Sequence, residues 1–215
     1  MAGYNITTQP ATEPVSLAEA KDFLRIEDRV DERIINMMIK SAREWAENYT
    51  GRSFINRTVT LYLDWVRDLE ENLLEGWYDG ADIPRKRRYI PMPIGPVHSV
   101  TSFKTYDDND VGTVFSPDNY YVNTSDPIGK INLRDGASWI TNLRKQNGIE
   151  IIYVAGYGTN QSDVPESIRL AMLQYMAFNY ENRGDYSGNA MPPSSIESLL
   201  RPHRILNFSS NPFGG

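Results

Sequence analysis

Asp107, Asn109, Gly112 and Asp118 fall at the first, third, sixth and twelfth positions of what would be a calcium loop, in DDNDVGTVFSPD. Such a loop replaces the ion's water shell with oxygens at alternating positions, between two helices. The fifth position here is Val111, which has no side-chain oxygen, and the flanking segments alternate like strands. The stretch is therefore read as a hairpin turn. His98 and His203, the two histidines of the chain, have no Ser or Asp at recognisable triad spacing. A triad is assembled in space, but each is read as a structural histidine. Glu70 with Glu71, and Glu166 with Glu181, offer paired carboxylates, yet nothing in the sequence predicts a cleft that would raise either pKa. GYGTNQSD lacks the Lys-Ser/Thr of a P-loop and the helix-opening glycine of a dinucleotide site, so AGYG is read as a turn closing a strand. The basic run RKRR, Arg85–Arg88, has two readings. It could touch DNA phosphates, or it could balance the seven acids between Asp64 and Asp82. Trp45 and Trp65 lie on apolar stripes and read as core, while Trp77 and Trp139 stand in loop contexts as contact-surface candidates. No catalytic set, cofactor or metal site emerges.

The composition agrees with this reading. With 215 residues, 40% hydrophobic and 23% charged, the chain can bury one sizeable core. It has no cysteine, which excludes disulfides and thiolate-bound metals and favours a reducing compartment. The start MAGYNITTQP has neither the basic nor the apolar region of a secretory signal. No apolar run approaches the roughly 20 residues of a membrane span. A soluble cytoplasmic protein is the expectation. A net charge of −6 suits a broad grip on nucleic acid poorly.

The elements follow from periodicity. Residues 1–13 read as an extended arm. Ser16 and Glu19 have capping-box spacing, so a helix should run from there to about Ile26. Asp31 caps a second helix, with Ile34, Met38, Ala42, Trp45 and Tyr49 as one stripe, Ile35, Ile39 and Ala46 widening it, and Gly51 ending it. Alternation then takes over in TVTLYLDW, VHSVTSFKTY, NYYVN, GKINL and GIEIIYVAGYG, which predicts an antiparallel sheet. Asp163 caps, and Pro165 opens, a helix that runs to about Asn182 and stops at Gly184. From Ile168 to Tyr180 that helix is almost wholly apolar, interrupted by Arg169, Gln174 and Asn179 on no common face. A surface helix should show a polar side. The fold class is thus α+β: a small α-helical core of about three to four helices with an inserted antiparallel β-sheet and an extended C-terminal tail. Its divisions are 13–55 and 162–185 for the helical core, 56–161 for the β region and 186–215 for the tail, which holds one short helical piece around Ile196–Leu200.

Three stretches in order carry a resemblance: EPVSLAEAKDFLRI with DERIINMMIKSAREWAENYTGRSF, then IPMPIGPVHSVTSFKTYDDND, then GIEIIYVAGYGTNQSDVPESIRLAMLQYMAFNYENRGD. This order resembles the head–tail connector (head-completion adaptor) proteins of tailed bacteriophages, over roughly residues 13–185 and more weakly in IESLLRPHRIL. The excursion DLEENLLEGWYDGADIPRKRRY is longer than the family's usual link.

The resemblance implies a structural virion protein, not an enzyme, at the neck where head meets tail, assembled in the host cytoplasm. It implies a homo-oligomeric ring of about twelve copies stacked on the portal protein, with a further head-completion or tail protein beyond it. Double-stranded DNA would pass through without tight binding. By position, the family's portal-docking segment corresponds to Ile196, Leu199, Leu200, Arg201 and Arg204, with Leu206 and Phe208 as further anchors in the tail. In such a ring the all-round apolar helix would bury part of its surface on a neighbour, through Met172, Met176, Phe178 and Tyr180. Channel-lining candidates are Glu70, Glu71, Glu75, Asp107 and Asp108, whose charge would repel phosphates. Alternative readings are a tail terminator or baseplate adaptor, or a glycan- or receptor-binding module using Trp77 and Tyr78.

Overall fold

A computed structural model describes residues 2–27, 31–64, 89–140, 142–183 and 192–205. These fall into two compact units. One comprises the residues up to Gln9 and Arg57–Val154; the other comprises Pro10–Asn56 and Ala155–Ile205.

The second unit is helical. Helix α1 spans Leu17–Leu24 and starts at a capping box: Ser16 Oγ accepts the Glu19 N–H at 3.2 Å, and Glu19 Oε2 accepts the Ser16 N–H at 2.9 Å. It ends two residues earlier than Ile26 because Arg25 turns left-handed (φ 55°) and caps it. Helix α2, Glu32–Thr50, ends at Gly51, whose φ of 71° is a conformation glycine adopts without a Cβ clash. Asp31 occupies the N-cap position of α2 but makes no side-chain capping bond. The face α2 buries is centred on Ile35, Ile39, Ala42 and Ala46, while Ile34 is exposed. The true stripe is thus turned by about one residue from the expected one. Helix α3, Glu166–Glu181, has Pro165 as its N-cap rather than its first residue, and Asp163 lies in a preceding 3₁₀ turn.

The all-round apolar character of α3 is explained inside this unit. It packs against α1, α2 and a fourth helix, α4, Ser194–Leu200. Ile168, Ala171, Met172 and Met176 join Ile35, Ile39, Phe54, Ile196 and Leu200 in one buried cluster. Trp45 of α2 stacks on Tyr175 of α3, ring centroids 4.3 Å apart and planes 7° apart. The short helical piece expected around Ile196–Leu200 is α4, and it closes the core of this unit instead of belonging to an extended tail.

The first unit is built of β-strands. A five-stranded sheet has the order β1-β2-β8-β4-β5 and a three-stranded one the order β3-β7-β6. The strands are β1 Ala2–Ile6, β2 Arg57–Leu63, β3 Tyr89–Pro91, β4 Val97–Tyr106, β5 Gly112–Val114, β6 Tyr120–Asn123, β7 Lys130–Leu133 and β8 Ile149–Ala155. Strict alternation buries Val59, Leu61 and Leu63 on β2 and Ile149, Ile151 and Tyr153 on β8. The expected N-terminal arm is in fact β1, antiparallel to β2 with Tyr4 opposite Leu61 and Ile6 opposite Val59. Trp139, expected as contact surface, joins a ring cluster with Phe103 and Phe115, at 6.4 and 6.0 Å between centroids. The fold is α+β, as the patterning predicts.

Candidate interaction surfaces

Two ionic networks hold the helical unit in one arrangement. Arg43 lies on the buried face of α2, its guanidinium 2.7 Å from Glu13 and 3.0 Å from Glu47. Glu47 also accepts the Phe54 N–H at 2.9 Å. Burial works against the Arg43 charge, but the hydrogen bond to Glu13 and the field of Glu47 outweigh it, and its pKa is raised. Arg169 interrupts the apolar run of α3 for a reason: it pairs with Glu19 and with Glu166, and its Nε donates to the Pro14 carbonyl. Burial of the Glu19 carboxyl is outweighed by the Ser16 N–H and hydroxyl and by Arg169, which lower its pKa. Sequence reading missed both networks. Arg43 and Glu47 are spaced by four, like any solvated helix pair, and only the stripe's true rotation places them inside.

Among the described residues the chemistry-bearing side chains do not converge on a catalytic arrangement. Ser167 Oγ lies 2.8 Å from His203 Nε2, a nucleophile–base distance. The charge acting on this imidazole is Arg52, which lowers its pKa together with burial, the larger effect. A triad acid does the opposite, stabilising the imidazolium. Arg52 also donates to the His203 carbonyl, so the trio ties the segment after α4 back to α2 and α3. Glu166 and Glu181 cap opposite ends of α3, about 22 Å apart at 1.5 Å per residue, too far to act as a pair. His98 is exposed. Asp107 Oδ1 accepts the N–H groups of Asn109 and Val111, both at 2.9 Å, in an ordinary Asx turn. Among the described residues no group of three or more His, Asp or Glu is placed to hold a metal ion, and no helix is long and apolar enough to cross a membrane. The glycines of AGYG serve chain packing: a Cβ on Gly156, at φ 150°, would sit 2.5 Å from the Asn56 nitrogen.

The expected contact residues divide sharply. Of the docking set, Ile196 and Leu200 are buried in the unit's own core at 2% and 0% exposure, because α4 uses that face against α3. Leu199 is half-buried at the core's margin, while Arg201 and Arg204 are exposed. Of the subunit-interface set, Met172 and Met176 are fully enclosed by their own chain and present nothing to a neighbour. Tyr180 is half-buried, and its hydroxyl donates to Asp31 at 3.0 Å. Phe178 is half-buried, and Leu170 is exposed. Asp107 and Asp108 sit on the β4–β5 turn, Asp108 exposed. Glu70, Glu71, Glu75, Trp65, Trp77, Tyr78, Arg85–Arg88, Gly184, Leu206 and Phe208 lie outside the described residues.

Comparison with known proteins bears on these surfaces. Residues 14–89 match the model of the phage gp6-like head–tail connector protein family. Among curated proteins none matches. Among solved structures, a chain of the neck of an empty GTA particle computed with C6 symmetry shares the fold, with TM-score 0.74 and 22% identity. The alignment covers 95% of this chain and 96% of that one. A chain of the virion of a native gene transfer agent particle gives TM-score 0.72 at 22% identity, covering 97% and 98%. A chain of the neck of a native GTA particle computed with C12 symmetry gives 0.70 at 23%, covering 95% and 96%. The family match covers the first of the three stretches that carry the resemblance. The chain carries the phage gp6-like head–tail connector pattern over residues 14–89 and the fold of particle-neck chains over nearly its whole length.

Proposed function

We propose that this protein is a structural component of the neck of a tailed, phage-like particle, forming a ring of about twelve subunits between the portal and the next neck or tail protein. The observation that carries the reading is the near-complete, two-way coverage by neck chains, one set in a C12-symmetric particle. A chance likeness of one helical bundle would cover only part of each chain. Packed helices and sheets held by structural ion pairs suit a load-bearing ring better than a reaction centre. Within this reading, Leu199, Arg201 and Arg204, with the residues from Leu206 onward, form the portal-docking segment. Asp108 faces the DNA channel.

Electron microscopy of the purified protein, with and without its portal, tests this. Coaxial rings of about twelve subunits seated on the portal are expected. A protein that stays monomeric beside assembled portal rings would contradict it.

A further inference from the structure

Among the described residues the five-stranded sheet ends in β1 on one side and β5 on the other. An open edge presents unpaired N–H and C=O groups, and soluble proteins blunt such edges with Lys, Pro, bulges or inward-pointing charge. Neither a charge nor a proline is present on these two strands: β1 reads AGYNI and β5 reads GTV. The smaller sheet's edge strand β3, by contrast, carries Pro91. Both open edges also expose apolar side chains: Tyr4 and Ile6 on β1 are 51% and 39% exposed, and Val114 on β5 is 61% exposed.

The hydrogen-bond phase of each edge follows from its ladder. Phe115 N–H donates to the Phe103 carbonyl and Asp107 N–H to the Val111 carbonyl, so residues 111, 113 and 115 turn toward β4. By antiparallel alternation Gly112 and Val114 direct their N–H and C=O outward. On the other side, Thr7 N–H donates to the Thr58 carbonyl, which turns residues 3, 5 and 7 toward β2. Tyr4 and Ile6 then direct theirs outward. With five antiparallel strands, β1 and β5 run in the same direction. A rotation that continues the sheet into a second copy therefore sets β5 beside β1 in parallel. In a parallel ladder, a residue with both groups outward bonds the two residues that flank its opposite number. Tyr4 or Ile6 can meet the Gly112 carbonyl and the Val114 N–H in that way, with Thr113 opposite.

We infer that in the assembled particle β5 of one subunit pairs in parallel with β1 of the next, making the five-stranded sheets continuous around the ring. This rests on the ring reading above and names its contact. The pairing is heterologous, head to tail, which is the contact type that closes into rings. The occupant is a second copy of this chain because the two edges match each other in phase, direction, lack of charge and exposed apolar side chains.

The native chain has no cysteine, so introduced pairs report cleanly. Tyr4→Cys with Thr113→Cys, and separately Ile6→Cys with Thr113→Cys, cover both registers. Oxidation of portal-bound rings should give a ladder of covalent multimers from at least one pair, with no such ladder from any single variant. A second variant, Val114→Pro, removes an outward N–H and no bond to β4. It should leave the monomer's melting temperature within a few degrees but abolish rings. Rings that form normally in Val114→Pro, or that yield no intersubunit cross-link from either pair, overturn the strand pairing and leave the neck reading standing. Absence of rings from the unaltered protein on its portal overturns both.

Discussion

At the scale of single residues, the polar groups of α3 and its neighbours act as fasteners. Arg169 holds the capping box of α1, Tyr180 holds Asp31 at the start of α2, and Ser167 holds His203. The last of these carries a titratable imidazole. Burial, and then Arg52, depress the His203 pKa below its ordinary 6.5. Protons bind the unfolded chain first as pH falls. The stability this site contributes is therefore complete above pH 6.5 and lost as pH drops through the folded value. His203→Gln keeps a polar partner for Ser167 without the titration. Its melting temperature should fall less than that of the unaltered protein between about pH 7.5 and 5. Equal slopes for the two proteins would assign the acid sensitivity to other groups.

At the scale of elements, cohesion and docking must be separated along the C-terminal segment. Leu200 is sealed in the core, so Leu200→Ala should cost about 2–5 kcal/mol in denaturant unfolding. Leu199→Asp, at the margin of the core, should cost less stability than Leu200→Ala while weakening capture by the portal. Removing everything from Ser194 onward should instead unfold the helical unit, because it strips α4 from α3. A truncation at Ser194 that melts like the full chain would show that α4 is dispensable to the core. Legibility tracked locality. The Ser16–Glu19 box, the Gly51 stop, the β4–β5 turn and the alternating strands each depend on residues within a few positions of one another, and the sequence announces them. Strand β1 has a weak local pattern, and α4, legible as a short helical piece around Ile196–Leu200, gives no local sign of what it packs against. AGYNI becomes a strand because β2 offers it a ladder, and SSIESLL a helix because α3 offers it an apolar wall. Four residues of the docking and interface sets, Ile196, Leu200, Met172 and Met176, turn out to face their own core for the same reason. Apolar residues in a recognised segment look alike whether they face a partner or their own core, and burial decides between them.

For the whole molecule, the proposed neck function raises the question of how a ring would enclose DNA without holding it. The chain carries 22 basic and 28 acidic residues, and a net −6 repeated around a ring of about twelve gives a strongly anionic particle. Duplex affinity comes mainly from cations that displace condensed counterions, and it falls steeply with salt. The unaltered ring should therefore leave a short duplex unretarded at about 150 mM salt. Asp108 makes this sensitive to position. It is exposed, and the turn's capping bonds come from Asp107, so Asp108→Lys should preserve the fold. Symmetry places the new cation about twelve times around the ring. If Asp108 faces the channel, rings of Asp108→Lys should retain threaded duplex, and the retention should weaken steeply as salt rises. If they bind DNA no better than the unaltered rings, Asp108 points away from the lumen. Tight, salt-resistant binding by the unaltered ring would contradict a sliding channel altogether.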